Sequence, residues 1–285
     1  MRAQDTDKFA GGVAVITGAG AGIGSGLARR AGELGMTVVV TDIDEARAGQ
    51  VAQDIIAAGG QAEALKVDVS QPRELDRLAD HVFANHDSVR LLINNAGIET
   101  IGYSWEIPVE RWEATLNINI HGIVHGCRAF LPPMIERGEE AWIANLASMG
   151  AFGVMPQQTA YIMSKHAVQS FSECLYLELE LKGAPIHVAS VMPGMLKTSI
   201  FDAEAGAGEP AGAGAHRRRM FEMMRDHGMD LAQGCALIMD QIAAGKFWVH
   251  TQPEMSLGAI EGRIAFFRSQ QPPVMNEEVR HLLEG

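Results

Sequence analysis

Apolar positions along the chain follow two rhythms. Short runs, nearly continuous and rich in β-branched residues, recur at 13–17 (VAVIT), 37–41 (TVVVT), 62–67 (AEALKV), 89–94 (VRLLIN), 141–147 (AWIANLA), 186–192 (IHVASVM) and 246–250 (KFWVH). Between them lie longer stretches with helical spacing, such as 24–35 (GSGLARRAGELG) and 44–60 (DEARAGQVAQDIIAAGG), each closed by a glycine suited to a helix C-terminus. Strands that are apolar without alternation belong to a sheet covered on both faces, and strand–helix alternation makes that sheet parallel. The pattern therefore predicts an α/β fold. The rhythm runs without a linker to about residue 192 and resumes for a last helix and strand, so one domain over 1–285 is expected.

Two regions depart from it. Residues 202–215 (DAEAGAGEPAGAGA) are Gly/Ala-rich and predict a mobile loop, followed by one amphipathic helix; together they suggest a small lid near 200–228. The tail over 251–285 holds Pro253, Pro272 and Pro273 and has weak periodicity.

Charge narrows the function. With 23 basic and 35 acidic side chains the net charge is −12, which argues against a phosphate-tracking nucleic-acid surface. No apolar run reaches the roughly 18 residues of a membrane span. The polar start, MRAQDTDKFAGG, lacks an apolar signal core, and Cys127, Cys174 and Cys235 are too far apart and too few for a disulfide framework. A cytoplasmic protein is the expectation.

The first strand runs into TGAGAGIGSGLARR. At such a strand–loop–helix corner a pyrophosphate can sit over a helix N-terminus, with glycines letting the backbone approach it. The spacing is not G-x-G-x-x-G, since counting from Gly18 its last glycine falls on Ile23; the pattern is Thr17-Gly18-x-x-x-Gly22-x-Gly24. Eighteen residues beyond Gly24, Asp42 ends the second strand. A carboxylate there accepts hydrogen bonds from adenosine ribose hydroxyls and repels a 2′-phosphate, which favours NAD over NADP. Neither Ala21 nor Ile43 is basic, and Arg47 is the one cation placed to counter this. The plainer reading of Asp42 or Asp44 is a helix cap.

Tyr161 and Lys165 in YIMSK lie at i and i+4, on one helix face. Such a pair is either surface packing or an acid–base unit. The surrounding motifs favour the second. The glycine pattern, Asp68-Val69, NNAG at 94–97, NINIHG at 117–122 with Asn119, IANLAS ending in Ser148, YIMSK, and PGMLKT at 193–198 occur in one order. In this the chain resembles the classical short-chain dehydrogenase/reductases, closely over roughly 11 to 200.

The resemblance implies a Rossmann-type, doubly wound, seven-stranded parallel sheet. It implies a catalytic set of Asn119, Ser148, Tyr161 and Lys165: Tyr161 as acid–base, Lys165 lowering its pKa and holding the nicotinamide ribose, Ser148 on the substrate oxygen, Asn119 holding a water. Cofactor contacts would come from Gly18, Gly22, Ile23, Gly24, Asp42, Ile43, Asp68, Val69, Asn95, Ala96, Gly97, Tyr161, Lys165, Pro193, Gly194 and Thr198. It also implies a homodimer or homotetramer paired through helices at about Pro108–Arg137 and Tyr161–Leu181.

The substrate wall is expected from Ile98–Thr100, from 149–155 and from 194–201, supplying Met149, Phe152, Met155, Met195, Leu196, Ile200 and Phe201. Adaptable methionine walls suit a lipophilic alcohol or ketone, terpenoid, steroid or aryl. His121 and His125 share a helix face but lack a third ligand, so packing is favoured over zinc and no metal is expected. HRRRM at 216–220 reads as a solvated helix face rather than an anion grip. An NADPH-linked ketoreductase and a non-catalytic dinucleotide sensor are the competing readings.

Overall fold

The computed structural model describes residues 6–202 and 206–284. After a short 3-10 turn at Thr6–Phe9, the strands are β1 (Val13–Thr17), β2 (Thr37–Asp42), β3 (Gln61–Lys66), β4 (Leu91–Asn94), β5 (Ala141–Leu146), β6 (Ile186–Met192) and β7 (Trp248–His250). Among the described residues they form one seven-stranded sheet, every paired neighbour parallel, in the order β3-β2-β1-β4-β5-β6-β7. This is the doubly wound, Rossmann-type arrangement.

Burial on both faces follows from the two-residue period of a strand. Ala14, Ile16, Val38, Val40, Leu91 and Ile93 point into one core, closed by helices α1 (Gly22–Glu33), α2 (Glu45–Ala57) and α8 (Leu231–Ala243). Val13, Val15, Val39, Leu92, Ile143 and Val188 point into the other, closed by α3 (Pro72–Asn85), α5 (Gly122–Arg137) and α6 (Thr159–Lys182). Strand order reverses between β1 and β4, and in open α/β sheets the crevice beyond the C-terminal ends at that point takes the ligand.

Three regions add detail to the expectation. The helix expected over 108–137 is α4 (Val109–Leu116), a π-helical turn (Asn117–His121) and α5. Such turns are rare and cluster at functional sites. The segment expected as loop over 202–215 is already helical at Ala213, where α7 (Ala213–His227) starts; the expectation for 203–205 falls outside the described residues. The weakly periodic tail carries α9 (Pro253–Ser269) and α10 (Glu277–Glu284).

Candidate active site

The glycine loop is held from the far side by Asn95. Its Nδ2 donates to the carbonyls of Thr17 (2.9 Å) and Gly18 (3.0 Å). The Thr17 hydroxyl accepts from the backbone N–H of Asn95 and Ala96. Gly18 has φ +61°, and a Cβ there would stand 2.7 Å from Ala96 Cα. Gly24 lies beneath the loop, where a Cβ would meet the Gly18 carbonyl at 2.3 Å, so its contribution is close packing rather than cavity wall. Gly22 (φ +53°) opens α1, and a Cβ there would stand 3.6 Å from the Thr198 side chain. The N-cap of α1, Ala21, makes no side-chain cap bond, so first-turn N–H groups are available to an anion.

Asp42 is pinned at the end of β2. One carboxylate oxygen accepts from Gly20 N–H at 2.9 Å, the other from Asp44 N–H at 3.0 Å. The helix cap is Asp44, whose side chain accepts from Ala46 and Arg47 N–H. Arg47 pairs with Asp44 at 3.1 Å and also lines the crevice.

From this loop a cavity of about 640 Å³ runs past β4 and β5 to α6. Apart from Gly24, every residue expected to touch the cofactor lines it: Gly18, Gly22, Ile23, Asp42, Ile43, Asp68, Val69, Asn95, Ala96, Gly97, Tyr161, Lys165, Pro193, Gly194 and Thr198. The residues thus fit an extended dinucleotide, with an open helix N-terminus midway.

Tyr161 and Lys165 lie in the first two turns of α6, with Lys165 Nζ 5.4 Å from the Tyr161 ring centroid. Lys165 is buried and donates to the Leu146 carbonyl at 2.8 Å. Burial pushes its pKa down to about 8, while the carboxyl of Glu99 pulls it back up. Burial likewise drives the Tyr161 phenol up, Glu99 adds to this, and hydrogen bonding with Ser148 opposes it. Ser148 caps the 3-10 turn Met149–Ala151, accepting from Gly150 N–H at 3.0 Å, so cap and site coincide in one residue.

Asn119 sits in the π-helical turn behind the cavity, fully buried. It accepts from Ile98 N–H (2.8 Å) and donates to the Ile98 carbonyl (2.9 Å) and the Ser164 hydroxyl (3.0 Å). A Cβ on Gly97 would lie 3.5 Å from Asn119 Oδ1 and 3.6 Å from Lys165 Nζ, so the amide and the ammonium converge on that glycine.

The other end of the cavity is walled by Met149, Met155, Met195, Leu196, Ile200 and Phe201. Phe152 is not part of it; its ring turns to Trp248 and His250, at 5.8 and 6.3 Å between centroids. Thr100 is also turned away, bonded to Thr115 at 2.7 Å. Glu99 and Val154, inside the expected stretches, also line it, and Gln158, Ile162, Met220, Met224 and Met255 join from outside them. Met220 and Met224 come from α7, the helix expected in the lid, and Met255 from α9, whose approach to the site no local pattern announces.

The solvated-face reading of HRRRM is corrected. His216 and Arg217 are buried, and burial lowers the His216 pKa to about 4. Arg217 forms a two-pronged pair with Glu209 (3.0 and 2.5 Å) and donates to the Ile200 carbonyl (3.1 Å). Among the described residues no cluster of His, Cys, Asp and Glu could hold a metal; His121 bonds Asn117 at 2.9 Å. Cys127 and Cys235 are buried and Cys174 is exposed. No helix among the described residues is long and apolar enough to cross a membrane.

A family model described as short chain dehydrogenase matches residues 12–207. The chain is 35% identical over 203 residues to 1-deoxy-11-beta-hydroxypentalenate dehydrogenase of Streptomyces exfoliatus, covering 70% of this chain and 72% of that one. To cyclohexanol dehydrogenase of an Acinetobacter it is 31% identical, covering 68% and 77%. Probable oxidoreductase EphD of Mycobacterium tuberculosis is 37% identical over 65% of this chain, which spans only 31% of that protein's length. A crystal structure of a short chain dehydrogenase/reductase from Burkholderia phymatum in complex with NAD superposes with a TM-score of 0.90 at 31% identity, covering 94% and 98%. A metagenomic short-chain oxidoreductase in complex with NADP gives 0.63 at 32%, covering 67% and 85%.

Proposed function

This chain belongs to the short-chain dehydrogenase family, and on that premise we propose that it is an NAD-dependent oxidoreductase interconverting a lipophilic secondary alcohol and its ketone. The observation that carries this reading is one continuous cavity. It joins Asp42 and the glycine loop to Ser148, Tyr161 and Lys165, and ends in a methionine wall. The residues lining this cavity would hold a nicotinamide dinucleotide, which would supply a hydride acceptor and a positive ring that favours the phenolate.

The chain's own residues do the rest. Tyr161 takes the alcohol proton. Ser148 hydrogen-bonds the reacting oxygen and stabilises the charge that develops on it. Lys165 supplies positive charge and holds the nicotinamide ribose. Asn119 fixes the Ile98 backbone against the site and holds a water toward Lys165. Asp42 accepts from the adenosine ribose and disfavours a 2′-phosphate, and the NAD complex of the Burkholderia relative supports the same choice. The dehydrogenases of hydroxypentalenate and cyclohexanol among its relatives support a ring alcohol as substrate.

The NADPH-linked ketoreductase remains the second reading, because Arg47 lines the same end of the cavity. A cytoplasmic homodimer or homotetramer completes the proposal; Ile135 on α5 and Tyr176, Leu177 and Leu181 on α6 are exposed apolar residues suited to pairing of those helices.

The test is NADH formation by the purified protein over a panel of lipophilic secondary alcohols, with NAD and NADP compared. The expected outcome is turnover with NAD that falls at least 100-fold, in order of magnitude, in Tyr161→Phe, with NADH still bound. Faster turnover with NADP would favour the second reading. Tight NADH binding without turnover on any alcohol or ketone would favour the sensor.

A further inference from the structure

One wall of the substrate end is not apolar. Glu99 lines the cavity among methionines and leucine, and is 2% exposed. Tyr161 and Lys165 line the same cavity. A buried carboxyl normally has its partners at hand. Among the described residues none of the neighbouring cationic side chains hydrogen-bonds the Glu99 carboxyl. Arg217 is held by Glu209 and the Ile200 carbonyl. Lys165 donates to the Leu146 carbonyl. Arg111 reaches the main-chain oxygen of Glu99, at 2.8 Å, rather than its side chain. Among the described residues the carboxyl accepts one hydrogen bond, from the neighbouring Thr100 N–H, at a long 3.2 Å. Desolvation accordingly holds Glu99 well above the usual carboxylate range, so that it can donate as well as accept.

Building on the dehydrogenase reading above, we propose that Glu99 is a specificity-determining residue that hydrogen-bonds a second oxygen function, a hydroxyl or a keto group, on an otherwise apolar ring substrate. The geometry supports this over a merely tolerated buried acid. Glu99 lines the cavity that holds the acid–base pair, and among the described residues its Oε2 accepts no hydrogen bond, which leaves that oxygen for whatever fills the pocket. A substrate that supplies the missing partner gains a bond out of water, whereas one that presents a methylene leaves the acid stranded. Sites built around a polar group discriminate strongly against analogues lacking its partner. The methionines then select the skeleton and Glu99 selects where its second oxygen lies.

The experiment uses the full chain with NAD, a decalin mono-ol, and decalindiols and hydroxydecalones with the second oxygen at each ring position. At least one regioisomer is expected to exceed the mono-ol in kcat/KM by about tenfold, carried mostly by KM. In Glu99→Leu that isomer drops to the level of the mono-ol. Glu99→Gln, which still donates and accepts, keeps part of the preference. NADH affinity, read by fluorescence titration, reports that each variant is folded; should the leucine variant fail this, the isosteric glutamine decides by whether the preference shrinks. Equal kcat/KM across mono-ol and all isomers in the wild type would overturn the assignment. So would a preference that both variants preserve. Better turnover of an amino-alcohol than of any diol would overturn the choice of oxygen. Absence of turnover on the mono-ol and every isomer would instead count against the dehydrogenase reading itself.

Discussion

The two ends of the cavity are built by different means. At the cofactor end the backbone sets the shape: Gly18 and Gly22 at positive φ, Gly24 packed under the loop, and Asn95 and Thr17 tying the loop to β4. At the substrate end side chains set the shape, drawn from the loop after β4, the turn after β5, the segment after β6, α7 and α9. Backbone sites depend on near-neighbours in sequence and on glycine. Side-chain sites depend on which distant segments meet, and here the meeting is secured by a buried ion pair. Glu209 joins the Ile101 N–H at 2.6 Å to Arg217 on α7, and so links the lid to the chain leaving β4. The cofactor end should therefore be insensitive to changes that loosen the substrate end.

The strongest way to break that contrast is Arg217→Met. Both partners of the pair are about 5% exposed, so removal of one strands a buried carboxylate. Loss of one partner of a buried pair costs roughly 3–5 kcal/mol, and replacement of both costs much less. Arg217→Met is expected to raise substrate KM at least about tenfold and to speed hydrogen exchange over α7, with NADH affinity within about twofold of wild type. Glu209→Gln combined with Arg217→Met should recover part of the loss. A matching drop in NADH affinity would show the two ends to be one cooperative unit.

What the sequence discloses follows the same division. The strands were legible because apolar runs at strand length in alternation with helices have few other solutions. Most of the residues expected to carry catalysis and to touch the cofactor line one cavity because each sits at a strand end or on one helix face, within a few residues of a diagnostic neighbour. Tyr161 and Lys165 are four apart; Asn95 follows β4 directly. Local composition misleads at Arg217, although the helix expected after the Gly/Ala-rich segment is present as α7. Gly and Ala over 202–215 suggest a loop and three arginines suggest solvent, yet Arg217 is 4% exposed because Glu209, eight residues earlier, folds onto it. Phe152 was misplaced for a similar reason: apolar character marks it for burial, but the aromatic residues of β7 claim it instead of the cavity.

A smaller effect concerns the boundary between the ends, where burial of Lys165 costs stability. Its pKa falls from an ordinary 10.5 to about 8 because the ammonium is desolvated. Below about pH 8 folded and unfolded chains both carry the proton, and the penalty is complete. Between about 8 and 10.5 the folded chain gives up the proton while the unfolded chain keeps it, so stability from this group rises with pH. Above that window the penalty has gone. Lys165→Met should thus stabilise the cofactor-free protein by about 2 kcal/mol at neutral pH. That advantage over wild type shrinks as pH climbs through the window, while turnover is lost at every pH. Denaturant titrations at pH 7 and 10 read the difference directly. Destabilisation at pH 7 would mean that the bond to the Leu146 carbonyl outweighs desolvation.

The smallest expected stability change belongs to the cofactor end. Gly22 has φ +53°, and a Cβ there meets only Thr198, at the ordinary contact distance of 3.6 Å. Gly22→Ala therefore introduces no clash, only the left-handed backbone penalty of about 1–2 kcal/mol. The added methyl also stands at the mouth of α1, where N–H groups without a side-chain cap face the crevice. If that helix end receives the pyrophosphate, NADH affinity should fall about tenfold, more than the stability loss accounts for. Substrate KM, measured at saturating cofactor, should stay unchanged, the mirror image of Arg217→Met. Full NADH affinity in Gly22→Ala would move the phosphates away from α1. The backbone-built end would then have to be sought further along the crevice, toward Asp68 and Gly97.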